Sequence, residues 1–395
     1  MSSRKRGVMF SASGRPRRQR IVVFDESVPR ERWVETLAGC RGHILRELPL
    51  LNAVVVLVDE DEEMDVQHLM NTRAGVARVD DDIDIHLVAE RPRPRGLLMR
   101  LAARGGDEVP WGVARLGLDG LPYTGKGVRI AVLDTGIDVN HPDLRTVSRQ
   151  GFSVIDGKRP TADDNGHGTH VAGTIAAQRN GIGIVGVAPG ATVYSVKVLD
   201  EKGSGKLSGL IEGLSWCIDH RIRVANLSLS SSTENQTFRD AIAAARKAGI
   251  TLVCAAGNNG PGPNTVGYPA KFPEAVAVAA TDENDEIATF SARGKEITVA
   301  APGVNIKSTW PKRRYKTTSG TSMASPHVTG VVALMLEADP SLTPSEIKAV
   351  LQSTAARLPD LKPEEQGAGM INAASAIERV ARKRSTPLRK EVVGA

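Results

Sequence analysis

The chain has 395 residues, 41% hydrophobic and 24% charged, the balance of a water-soluble globular protein long enough for more than one folding unit. No run of about 18 or more apolar residues occurs, so no transmembrane helix is expected. The net charge of +6 sits in residues 1–20, where Arg4, Lys5, Arg6, Arg15, Arg17, Arg18 and Arg20 face no acidic residue. The remaining chain is close to neutral, so the basicity belongs to a tail expected to be solvated and disordered, and nucleic-acid binding is not expected.

That tail has no apolar stretch or small-residue cleavage site of a secretory signal. The three cysteines, Cys40, Cys217 and Cys254, form a sparse, odd set that suits a reducing compartment, with a Cys217–Cys254 bridge left open. Both features point to the cytoplasm, with export by an unrecognised route as the alternative.

Beyond the tail, Ile21–Phe24 reads as a strand, Pro29–Ala38 as a short helix and Ala53–Val58 as a second strand. An acidic stretch, Asp59–Asp65, leads to a helical pattern at Gln67–Arg73 and an extended one at Ala77–Asp80. This order predicts a small α+β unit over residues 21–90. Residues 91–106 are rich in proline, glycine and arginine and read as an exposed linker.

From 107 to 381 the pattern is that of a large α/β domain. Strands are predicted at Val128–Leu133, Thr192–Leu199, Val224–Leu229 and Thr251–Ala255. Helices are predicted at Gly168–Ala177, Leu207–His220, Phe238–Ala248, Thr321–Ala338, Pro344–Gln352 and Ile371–Ala381. The alternation implies a parallel sheet with helices on both faces. Residues 382–395 read as a polar tail.

Three segments concentrate unusual residues. Asp134 ends a buried strand, where α/β domains place their sites, although a turn or capping aspartate would look the same. His167 lies between glycines at a helix start. With His170 three residues on it could also be a metal ligand, but the short zinc motifs do not match. Ser322 opens an apolar helix, as a cap would, at a place where backbone N–H groups and the helix dipole stabilise a developing anion. Together they supply a nucleophile, a base and an orienting carboxylate.

The flanking words LDTGID at 133–138, NGHGTHVAG at 165–173 and SGTSMASPHVTG at 319–330 resemble the subtilisin family of serine proteases over roughly residues 107–381. The order Asp, His, Ser agrees with that family. The resemblance implies a serine endopeptidase in which Asp134 orients His167, His167 is general base and acid, and Ser322 attacks the scissile carbonyl. It implies that the Asn258 side chain and the Ser322 N–H form the oxyanion hole. Polypeptide substrates would lie as an added strand between Gly203-Ser204-Gly205 and Ser228-Leu229-Ser230.

Ser230-Ser231 stands where the family commonly has Gly-Gly, which bears on the width of the cleft. Gly267 resembles the floor of the pocket for the residue before the cut, leaving room for a large apolar side chain, and Tyr268–Pro269 resembles a cis bond of the family. The resemblance also implies Ca2+, held by side chains of Asp107, Asp143 and Asn180 and carbonyls of Gln178, Ile182 and Ile184. Residues 21–90 resemble an inhibitory propeptide, weakly, through element order and Val79-Asp80-Asp81-Asp82. Autocleavage is then expected between about Ala89 and Asp107, freeing Asp107 to reach the metal.

Rival patterns fail on context. Gly181-Ile182-Gly183-Ile184-Val185-Gly186 follows a helix instead of a strand, which a dinucleotide site requires. Gly205-Lys206 lacks the rest of a phosphate loop. An esterase elbow at Ser322 would need its Asp and His later in the chain. A non-catalytic relative, or a peptidase restricted to its own linker, is the remaining alternative.

Overall fold

The structure is a computed structural model that describes residues 9–10, 16–37, 43–59, 75–88, 99–100, 106–155 and 162–385. The expected helix at Gln67–Arg73, the acidic stretch after Asp59, most of the linker and the end of the C-terminal tail lie outside the described residues.

The N-terminal unit is built on strand β1 (Pro16–Phe24), antiparallel to β3 (Ala53–Asp59) on one side and β4 (Val76–Asp81) on the other; β2 (His43–Leu48) flanks β3. β1 begins five residues earlier than its apolar run. Pro16–Arg20, expected in the tail, continue the ladder, because backbone pairing tolerates arginines whose side chains can reach water or a carboxylate. Arg20 is ion-paired with Asp81. β3 alternates strictly: Val54, Val56 and Val58 face Trp33 and Leu37, while Ala53 and Val55 face the larger domain. The Pro29–Ala38 helix is reduced to a 3-10 turn at Arg30–Arg32 and one α turn at Trp33–Thr36.

The larger domain carries a seven-stranded sheet in which every neighbouring pair is parallel. Its strands are β6 (Arg129–Asp134), β7 (Ser148–Ser153), β8 (Thr192–Lys197), β10 (Val224–Leu227), β12 (Thr251–Ala255), β13 (Val276–Thr281) and β14 (Ile297–Pro302). The spatial order is β14-β13-β12-β10-β6-β8-β7. Two short cleft strands, β9 (Ser204–Lys206) and β11 (Leu229–Ser230), lie outside it. β6 shows why its sequence is continuously apolar between Arg129 and Asp134: Ile130 and Val132 enter the core on one face, Ala131 and Leu133 the core on the other.

On the first face pack helices α1 (His167–Ala176) and α4 (Thr321–Ala338); on the second, α2 (Leu207–Asp219) and α3 (Gln236–Lys247). The strand order reverses direction between β6 and β10, so the carboxyl end of β6 opens onto the crevice where α/β sheets bind ligands. Cys217 and Cys254, both buried, are free thiols.

The two units meet along α2 and α3. Asp82 is 4% exposed and caps α2, accepting from the Ser208 N–H at 2.9 Å and the Ser208 hydroxyl at 2.8 Å. Arg78 bonds Asp240 on α3 at 2.8 Å, and Arg46 bonds Glu212 on α2 at 2.9 Å. The last strand of the unit, β5 (Asp84–Leu87), is antiparallel to both β9 and β11 and lies between them. It went unpredicted because it is short and polar and finds its partners only in the other unit.

Candidate active site

Asp134 is fully buried at the carboxyl end of β6. Its Oδ1 accepts from the Thr135 N–H at 2.7 Å, and the His167 ring Nδ1 sits 2.8 and 2.9 Å from its two oxygens. A carboxylate on both sides of Nδ1 fixes the proton there and leaves Nε2 as the acceptor. His167 opens α1, and the glycines beside it are steric necessities. A Cβ on Gly168 would lie 2.1 Å from the Gly136 carbonyl oxygen, and one on Gly166 would lie 2.3 Å from the Trp310 ring.

A residue that sequence reading passed over ties these pieces together. Asp163 Oδ1 accepts from the Gly166 N–H at 2.7 Å and the Thr135 hydroxyl at 2.9 Å. Its Oδ2 accepts from the Thr169 N–H at 2.9 Å and the Thr169 hydroxyl at 2.5 Å. One carboxylate thus joins the end of the Asp134 strand to the first turn of the His167 helix. Burial nonetheless pushes its pKa up, against the hydrogen bonds from Thr169 and Gly166. Its signal was the Asp163-Asp164 pair just before a helix start. Nearby, Lys197 is 2% exposed; its Nζ donates to the Thr135 carbonyl at 2.6 Å and to Asp164 at 2.8 Å.

Ser322 lies in the first turn of α4, and its hydroxyl donates to the Ser228 carbonyl at 3.3 Å. Asn258 Oδ1 accepts from the Thr321 N–H and the Thr321 hydroxyl, both at 3.0 Å. That fixes the orientation of the amide, with Nδ2 on the side of Gly320, where a Cβ would come within 3.1 Å of it. Beneath them runs a buried polar chain. Thr329 donates to Asn226 Oδ1 at 2.9 Å, Asn226 Nδ2 donates to the Ser228 hydroxyl at 2.9 Å, and that hydroxyl donates to the Ser322 carbonyl at 3.1 Å.

The segments at Gly203–Gly205 and Ser228–Ser230 lie on either side of β5. β5 pairs His86 with Ser204, Ile85 with Gly205, Leu87 with Leu229 and His86 with Ser230. The Leu87 N–H donates to the Gly203 carbonyl at 2.8 Å, and the Val88 N–H reaches the Ser228 carbonyl at 3.4 Å. The Tyr268–Pro269 bond is cis. Gly267 does not open free space as expected: a Cβ there would lie 2.3 Å from Ser230 Oγ, so the serine already covers it. His170 is not turned toward a shared ligand with His167; its Nε2 lies 3.1 Å from both the Ile306 and Lys316 carbonyls.

The loop at Gln178–Ile184 gathers the remaining residues. Asp143 is fully buried; Oδ2 accepts from the Tyr315 hydroxyl at 2.8 Å and the Ile184 N–H at 3.1 Å, while Oδ1 has no hydrogen-bond partner among the described residues. Asn180 Oδ1 accepts from the Ile182 N–H at 3.1 Å, and the Gln178 N–H donates to the Asp143 carbonyl at 2.9 Å. Asp107 accepts from the Asn180 and Gly181 N–H groups at 3.0 and 2.8 Å. These two loop amides hold Asp107 beside the loop. Three or more His, Cys, Asp or Glu side chains do not converge anywhere among the described residues, so a metal here would depend on carbonyls.

The subtilase family model, Peptidase S8, matches residues 125–369. M-protease of Shouchella clausii is 45% identical over 271 residues, 68% of this chain and 70% of that one. Subtilisin E of Bacillus subtilis is 38% identical over 343 residues, 85% of this chain and 84% of that one. The crystal structure of fervidolysin from Fervidobacterium pennivorans, a keratinolytic enzyme related to subtilisin, gives a TM-score of 0.81 at 27% identity. It covers 94% of this chain, which spans 62% of the fervidolysin chain. The expected cytoplasmic location is overturned by these relatives, since subtilisins and alkaline proteases of this kind are secreted, extracellular enzymes. No helix among the described residues is long and apolar enough to cross a membrane. On its sequence and its fold, the chain belongs to the subtilase family of serine endopeptidases.

Proposed function

We propose that the protein cuts polypeptides through an Asp134–His167–Ser322 triad, and that residues 21–88 are its own inhibitory propeptide. The observation that carries this reading is a shared carbonyl. The Ser322 hydroxyl and the Val88 N–H both point at the Ser228 oxygen, so a strand bound like β5 delivers the carbonyl after its last paired N–H to the serine.

In the proposed reaction, Ser322 Oγ attacks that carbonyl carbon as its proton passes to His167 Nε2. Asp134 keeps the other ring nitrogen protonated and stabilises the imidazolium. The developing oxyanion takes hydrogen bonds from Asn258 Nδ2 and the Ser322 N–H, both fixed before the reaction begins. His167 returns its proton to the leaving amine, then activates the water that releases the acyl group.

On this reading the maturation cut is the Val88–Ala89 bond, at the N-terminal limit of the span expected from sequence. Intact-mass measurement tests it. Wild type is expected to yield a chain starting at Ala89, while Ser322→Ala stays uncut and loses labelling by a serine-directed fluorophosphonate. An S322A chain that still matures alone would refute both statements. A wild-type chain that neither matures nor labels would favour the non-catalytic alternative.

Calcium fits the Gln178–Ile184 loop on the chemistry of its donors. Asp143 offers a buried oxygen with no other partner, and a Cβ on Gly183 would fill the space 2.3 Å from the same carboxylate. Asp107, Asp143 and Asn180 side chains with the Gln178, Ile182 and Ile184 carbonyls would hold it. When bound it would supply charge to neutralise Asp143 and would cross-link the loop to the segment at Asp107.

A further inference from the structure

We infer that Ser230 selects the residue before the cut: it shortens the pocket, so that alanine and valine are taken in preference to phenylalanine or tyrosine. This rests on the peptidase reading above and names its substrate class.

The wall of the cleft at this point is two segments deep. Ser230 is paired with His86 in β5. Directly behind it the Ser231 N–H donates to the Tyr268 carbonyl at 2.8 Å, and the Tyr268 N–H returns to Ser231 at 3.0 Å. The Gly267 N–H donates to the Ala256 carbonyl at 3.0 Å, which places Gly267 between Ser230 and the strand that leads to Asn258. The missing side chain of Gly267 would leave a hollow in this wall. The Ser230 hydroxyl occupies it: it lies 2.3 Å, and its Cβ 3.5 Å, from where a Gly267 Cβ would stand. Those two atoms are absent when the position is glycine, and a ring pushed against them must displace a strand that is paired on both sides.

The residue that the chain itself brings to this place agrees. Val88, whose N–H reaches the Ser228 carbonyl, is only 4% exposed. Forcing extra methylenes into filled space costs about 1–3 kcal/mol, so discrimination of about tenfold or more is expected against the larger rings.

The test uses mature enzyme and the p-nitroanilides Ile-His-Leu-X, which copy residues 85–87 and vary X among Ala, Val, Phe and Tyr. Wild type is expected to favour Val over Phe by about tenfold or more in kcat/KM, and S230A, which removes the hydroxyl, to lower that ratio. S230G should erase or reverse that ratio, chiefly by raising kcat/KM for Phe. S230T, which adds a methyl group, should lower Val relative to Ala, and it serves as the second arm if S230G does not fold. Phe cleaved as well as Val by wild type, or a ratio that neither variant moves, would overturn the inference. Casein hydrolysis separates the two levels. If wild type digests casein and the ratios stay flat, only the Ser230 inference fails; if it digests nothing, the peptidase reading fails with it.

Discussion

Acid should weaken this protein through one buried ring. His327 is fully buried in α4, its Nδ1–H donates to the Met323 carbonyl at 2.8 Å, and its Nε2 has no partner among the described residues. Burial lowers its pKa from 6.5 to about 4, opposed only by the Met323 bond. The unfolded chain therefore takes up this proton before the folded one, and stability falls as pH drops from about 6.5 toward 4. One ring whose folded and unfolded pKa values differ by about 2.5 units gives roughly 2 kcal/mol lost at pH 5 and roughly 3 at pH 4, relative to pH 7. The assay is urea unfolding at pH 7 and pH 5 in an S322A background, where self-digestion cannot intrude. His327→Gln, which carries no charge in this range, should be less stable at pH 7 yet lose about 2 kcal/mol less between the two pH values. An identical pH dependence in the two proteins would refute the argument, since it would mean that the ring charges without cost or that other groups carry the whole effect.

Three further outcomes follow from the same geometry. Asp163→Asn exchanges an acceptor oxygen for an amide that faces N–H and O–H donors. Two charge-assisted bonds are lost, so urea unfolding should show a loss of roughly 2–4 kcal/mol, with a lower kcat; unchanged values on both counts would remove Asp163 from its linking role. Lys197→Met leaves the buried Thr135 carbonyl without its donor, while Asp164, 53% exposed, returns to water. The expected cost is about 1–3 kcal/mol, and a stabilised variant would contradict it. Chelation with EDTA should lower the melting temperature of the S322A chain, and Asp143→Asn should abolish that response; a chelator-insensitive wild type would argue against calcium in the loop.

The parallel sheet was legible in part: Val276–Thr281 and Ile297–Pro302 are buried along their whole length yet were not predicted. Residues 130–133 and 252–255 are apolar throughout, and the structure places strands at Arg129–Asp134 and Thr251–Ala255, within a residue of the expected bounds. β7 was not legible, because Ser148–Ser153 is an edge strand with no apolar run and with Arg149 and Gln150 exposed in its middle. β5 was illegible for a different reason: it is only four residues long, it contains Asp84 and His86 at alternate positions, and its two apolar residues, Ile85 and Leu87, find their core only in the other unit. The linking carboxylate, Asp163, and the polar chain through Asn226 share this limit. A hydrogen bond between residues far apart in the chain leaves no period and no spacing to read.

The catalytic words, by contrast, were legible because their specificity is steric as much as chemical. An aspartate, a histidine and a serine occur throughout any sequence, and each alone has an ordinary reading as a turn, a ligand or a cap. Gly166 and Gly168 have no such freedom. One lies against the Trp310 ring, and the other against the carbonyl of Gly136, two residues beyond Asp134. Any side chain at Gly168 would push α1 away from the end of β6 and lengthen the 2.8 Å contact between His167 and Asp134. Gly168 is therefore the mark of two backbones held in contact, and that contact sets the distance on which the proposed proton transfer depends. The same reasoning explains where the words lose their force: at Gly267 the neighbour is a side chain, Ser230, which can differ between relatives, so the pocket it shapes must be read from coordinates.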